Sequence, residues 1–125
     1  MLGSLKSLTA LVVEDEEEIA QNLRELLGYF FADVLVASDG LEALELLKKV
    51  YIHALFIDYE MPNLNGYELV KEMRDKSFNI PVTMISNHDD REILQSCIPL
   101  GLFGYIFKPL KYDELKAYLV NFSEE

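Results

Sequence analysis

Five short, nearly continuous apolar runs alternate with longer segments of helical period in this 125-residue chain, and that alternation constrains the fold more than any other feature. The runs are Thr9 to Val13, Val34 to Ala37, Ala54 to Ile57, Val82 to Ile85 and Tyr105 to Phe107. A strand reads as continuously apolar when both of its faces are covered, as in a parallel sheet flanked by helices. Between the first two runs Ile19, Leu23, Leu26, Leu27 and Phe30 recur on one helical stripe, which predicts a first helix that tolerates Gly28. Asp39 predicts a cap for a second helix over Leu41 to Val50. A third fits Tyr67 to Asp75 after the loop Pro62-Asn-Leu-Asn-Gly66, and a fourth fits Asp89 to Ile98, stopped or distorted by Pro99 and Gly101. The last, Tyr112 to Phe122, puts Leu115, Tyr118, Leu119 and Phe122 on one face. The sum is an α/β fold of (βα)5 type: one domain, three layers, a central parallel sheet.

Charge narrows the ligands. With 22 acidic and 11 basic residues the chain carries a net charge of −11, which repels phosphate backbones and anionic lipid. Direct nucleic-acid or membrane binding is therefore not expected, and cations or partners with basic patches are. Half of the residues are apolar, enough for a core. No apolar run approaches the roughly 20 residues of a membrane helix, and the single cysteine, Cys97, forms no internal disulfide, so a reducing cytoplasm is the expected location. Cys97 itself reads as a small packing residue. Met1 to Ser4 is given no functional weight.

In an open parallel α/β sheet the ligand crevice lies at the carboxyl ends of the strands. The residues leaving these runs are Glu14-Asp15, Asp58, Ser86 and Lys108-Pro109. Three carboxylates meeting at one end repel unless a cation or a proton neutralises them. Mg²⁺ suits such oxygen ligands, keeps several waters and commonly shares its shell with a phosphate.

The acidic pair Glu14-Asp15, Asp58 within Asp58-Tyr-Glu-Met61-Pro62, Gly66, Ser86, Tyr105 and Lys108-Pro109 occur in an order and spacing that resemble the receiver domain of two-component response regulators, of which single-domain chemotaxis regulators are the simplest form. The resemblance spans residues 8–122 and leaves no room in this chain for an output domain. It implies a flavodoxin-like three-layer sandwich with strand order 2-1-3-4-5. It also implies that Asp58 is the phosphoacceptor, taking a phosphoryl group from a sensor histidine kinase or phosphotransfer protein. Asp15, Asp58 and the backbone carbonyl of Glu60 would hold Mg²⁺, with Glu14 bound through water. Lys108 would pair with phosphoryl oxygens, and a cis Lys108-Pro109 bond would aim it. Ser86 and Tyr105 would switch the face of helix four, strand five and helix five toward a downstream protein, a missing output domain or a phosphorylation-dependent dimer. A receiver of this kind is no turnover enzyme; it catalyses only its own phosphorylation and slow dephosphorylation.

Blander roles exist for each residue. Glu16, Glu17 and Glu18 are acids favoured at a helix N-terminus. Asp58, Ser86 or Lys108 alone would be an ordinary turn acid, hydroxyl or solvated amine, and only their joint placement argues otherwise. A pseudo-receiver that signals without phosphorylation is disfavoured by intact Asp15, Asp58 and Lys108. A haloacid-dehalogenase-like phosphatase would need Asp-x-Asp where this chain has Asp58-Tyr59-Glu60, and no Gly-x-Gly-x-x-Gly or Walker loop is present. Asn87, Leu102-Phe103 and Pro99 depart from the family pattern and bear on activation. Phe103 reads as a partner contact, Asn87 as a brake on phosphodonor access, and His88 as a surface histidine that flanks the phosphoryl group in the family.

Overall fold

A computed structural model describes residues 2–61, 65–87 and 91–123. Its strands are β1 (Thr9–Val13), β2 (Asp33–Ala37), β3 (Ala54–Asp58), β4 (Val82–Ser86) and β5 (Gly104–Phe107). The helices are α1 (Glu17–Leu27), α2 (Gly40–Lys49), α3 (Gly66–Asp75), α4 (Arg91–Cys97) and α5 (Tyr112–Ser123). All pairings are parallel and the order is β2-β1-β3-β4-β5. Five parallel strands in that order with five helices are the flavodoxin-like receiver architecture implied by the motifs.

Strand alternation divides the core in two. Leu11, Val13, Leu55, Ile57, Val82 and Met84 face one layer, against Ala43, Leu44 and Leu47 of α2, Leu69, Val70 and Met73 of α3, and Cys97. Ala10, Val12, Ala54, Phe56, Ile85 and Ile106 face the other, against Leu23 and Leu27 of α1 and Leu115, Leu119 and Phe122 of α5. This two-sided burial is why the strands read as unbroken apolar runs.

Two glycines mark close approaches. A Cβ on Gly66 would meet Met84 Sδ at 2.7 Å and Tyr59 Cα at 3.0 Å, so glycine lets α3 start tight against β4 and the β3 exit. One on Gly104 would meet Tyr118 Oη at 2.8 Å. That phenol crosses β5 to share a hydrogen bond with Thr83 Oγ1 at 2.5 Å, and burial pushes its pKa up to about 12.

Local chemistry fixes the helix ends. Asp39 caps α2 by accepting from Glu42 N (2.8 Å), and Asn65 with Glu68 forms a capping box at the start of α3. The first helix stops sooner than its stripe predicts, at Leu27, where Gly28 is the C-cap and Phe30 and Phe31 turn back to hydrogen-bond Leu27 O. Phe30 is nonetheless buried, so the apolar signal was a packing signal beyond the helix. The fourth helix ends at Cys97, and Ile98–Leu100 form a 3-10 turn containing Pro99. Proline lacks the N–H that would continue the α ladder. The expected start of that helix at about Asp89 lies outside the described residues.

The N-terminal segment carries no helical period in its sequence, yet it is ordered. Leu2–Ser7 form a 3-10 helix packed against α5, with Leu5 1% exposed among the α1 and α5 core residues. Lys6 Nζ donates to Tyr29 O at 2.5 Å, and Leu8 O accepts from Ala32 N at 2.9 Å. Residues without periodic pattern thus complete one of the two cores.

Candidate functional site

The chemistry lies where β1, β3, β4 and β5 end. Backbone hydrogen bonds fix those ends: Glu14 N to Ala37 O (3.0 Å), Tyr59 N to Ile85 O (2.9 Å) and Lys108 N to Ser86 O (2.8 Å). Asp58, the last residue of β3, is buried at 3% exposure. Its Oδ2 accepts from Lys108 Nζ at 3.1 Å and its Oδ1 from Glu60 N at 3.1 Å. Glu14 is equally hidden at 2%, and Asp15 beside it is exposed.

One oxygen from each of Glu14, Asp15 and Asp58 lies within 4.8 Å of the others. Glu14 Oε2 accepts from Glu16 N at 3.2 Å, whereas Oε1 is the one buried side-chain polar atom without a hydrogen-bond partner among the described residues. Burial, and the need for a proton to bridge to Asp58, push Glu14 up to about 8. A buried carboxyl with an orphaned oxygen, clustered with two further carboxylates, fits a cation with oxygen preference. The Lys108 pKa is raised as well, which here favours the charged form. Burial alone would lower its pKa, but the hydrogen bond and charge of Asp58, with Glu14 and Glu60 behind it, hold the ammonium above its usual value. This ammonium therefore stays charged against the acid cluster.

Ser86 closes β4, fully buried, with Oγ donating to Asn87 O at 3.4 Å. Asn87 Nδ2 donates to Glu60 Oε1 at 3.3 Å, so side chains from the β3 and β4 exits meet beside the acid cluster. Tyr105 stands apart. It is 50% exposed, its ring against Phe107 at 5.3 Å. The Lys108-Pro109 peptide bond is cis. The structure thus gathers Glu14, Asp15, Asp58 and Lys108 into one cluster, with Glu60 and Asn87 joined beside it and Tyr105 on the surface. His88 lies outside the described residues. The Asn87–Glu60 contact had no sequence signature, although both positions border motif residues.

Residues 10–120 match the family model described as the response regulator receiver domain. The chain is 35% identical over 107 residues to the probable transcriptional regulator ycf27 of Porphyridium aerugineum, covering 86% of this chain and 44% of that protein. It is 31% identical over 114 residues to the sensor histidine kinase RcsC of Escherichia coli (strain K12), covering 91% of this chain and 12% of that one. It thus spans less than half the length of these curated relatives. Among solved structures, the chemotaxis protein CheY4 of Vibrio cholerae superposes with a TM-score of 0.84 at 28% identity, covering 92% of this chain and 98% of that one. Matching sequence model, strand order and relatives agree: this chain belongs to the receiver domain family of two-component response regulators.

Proposed function

We propose that residues 8–122 act as a phosphoryl-accepting switch in which Asp58 is the acceptor. The observation that carries this reading is the Asp58 carboxylate itself, buried at a strand end, held by Lys108 Nζ at 3.1 Å and adjoined by two more carboxylates. An oxygen of Asp58 attacks the phosphorus of a phosphohistidine, the P–N bond breaks, and the pair of electrons leaves with the imidazole. Lys108 then shifts its hydrogen bond from the carboxylate to a phosphoryl oxygen, offsetting charge in a shielded site.

Asp15, Asp58 and the Glu60 carbonyl would hold Mg²⁺, and Glu14 would reach it through water. Bound there, the ion offsets charge on the transferring phosphoryl group. The orphaned Glu14 oxygen supports this donor set. Asn87, tied to Glu60, narrows access to Asp58 and slows both donor arrival and hydrolysis.

Ser86 Oγ turns from Asn87 O to the phosphoryl group, Tyr105 follows inward, and the α4–β5–α5 face changes its affinity for a partner. The phosphodonor is a sensor histidine kinase or phosphotransfer protein. The readout is a downstream protein, an output domain or a second copy of the chain, and turnover of a separate substrate is not part of the role.

Incubation with Mg²⁺ and acetyl phosphate should add one phosphoryl group by intact mass, and Asp58→Asn should abolish it. An adduct that survives the substitution would remove Asp58 from the acceptor role.

A further inference from the structure

Arg74, in the last turn of α3, joins two loops that are remote in sequence. Its Nε donates to Leu100 O (2.8 Å) and its Nη2 to Gly101 O (3.1 Å). Its Nη1 donates to Phe78 O (2.7 Å) and Ile80 O (3.1 Å). Four of the five guanidinium N–H groups thus meet main-chain carbonyls, and among the described residues Arg74 makes no ion pair. The carbonyls fall into two pairs. Phe78 and Ile80 lead into β4; Leu100 and Gly101 close the 3-10 turn after α4 and lead into β5. Carbonyls at the end of a helical segment lack partners within it, and a charged planar donor is a strong substitute.

The backbone around Gly101 fits this arrangement. Gly101 has φ of 81°, the left-handed conformation that favours glycine, and Arg74 Nε and Nη2 are the nearest atoms to a Cβ there, at 3.9 and 4.0 Å. Its N–H returns to Ile98 O at 2.9 Å, and Phe103 N bonds Val82 O at 2.9 Å. The corner is thus closed on itself, tied to β4 and clamped from α3.

We propose that Arg74 is a latch that fixes the 98–103 corner to the α3–β4 loop, so that the starts of β4 and β5 are held together through one side chain. Pro99 adds to the need for it, since it ends the α ladder and leaves the following turn dependent on outside partners. The loops that start both strands thereby share one anchor.

Native-state hydrogen exchange on the full chain tests this, with Arg74→Lys as the variant. Lysine keeps the charge but presents its three donors from one nitrogen and cannot span four carbonyls on two loops. The amides of Gly101 and Phe103 should exchange about tenfold faster in the variant, while those of β1 and β3 keep wild-type rates. Unchanged exchange at Gly101 and Phe103 would overturn the latch, and so would equal acceleration throughout the sheet.

Discussion

At the scale of single residues, Glu14 concentrates the electrostatic tension of the site. Its pKa in the folded chain is about 8, against about 4.3 for a free glutamate, so the folded state binds a proton more tightly than the unfolded chain between those values. Stability from this group is complete below about pH 4.3 and is lost as pH rises through about 8. In EDTA, Tm should therefore fall by on the order of 5–10 °C between pH 5.5 and pH 8.5, and Glu14→Gln should flatten that slope. An unchanged slope in the variant would place the titration elsewhere. Lys108 adds nothing in this window, because its pKa lies above the usual lysine value. The acid pair, Asp58, Ser86 and Lys108 were legible in the sequence because each follows an apolar run. That Glu14 is buried with one oxygen orphaned was not, since burial depends on how the β1 exit meets β3. Arg74 was equally hidden, as its four partners are backbone atoms and carbonyls have no sequence signature.

At the scale of elements, the end of α3 shows a local rule obeyed with an unfavourable residue. Phe78 N bonds Met73 O (2.9 Å) and Ser77 N bonds Arg74 O (3.0 Å), the paired bonds of a Schellman motif, with Phe78 packed into the same core as Met73. The left-handed position belongs to Ser77, at φ 66°, where glycine is the usual occupant. Replacing Ser77 with Gly relieves about 1 kcal/mol of steric cost, and the greater freedom of glycine in the unfolded chain offsets part of that. Urea unfolding should show Ser77→Gly more stable by about 0.5 kcal/mol and Ser77→Val less stable; a destabilised glycine variant would contradict the steric account. The strands were read nearly to the residue because β1, β3 and β4 are buried on both faces, and the partly exposed edge strands β2 and β5 still carry short apolar runs. Helix ends were read less well: α1 stops at Gly28 although its apolar stripe continues to Phe30, and the N-terminal 3-10 helix offered no period at all.

At the scale of the whole molecule, the net charge of −11 has a specific component at the carboxyl ends of the strands. Relieving the repulsion there should couple cation binding to global stability, by about 2.7 kcal/mol when the ion stands at a hundred times its dissociation constant. Millimolar Mg²⁺ at pH 8 should raise Tm of the native chain and leave Asp15→Asn nearly unmoved in thermal scans. Equal shifts in both would mean the ion acts on surface charge in general.

The strand order carries a mechanical consequence. β1 and β3, which deliver Glu14 and Asp58, have a hydrogen-bonded neighbour on each side, whereas β5 is last in the order and pairs with β4 alone. Displacing β1 or β3 would rupture two ladders; displacing β5 loosens one. Glu14 and Asp58 are thus stiffly mounted, whereas Tyr105 and, just past the strand end, Lys108 ride on an edge rail of the sheet.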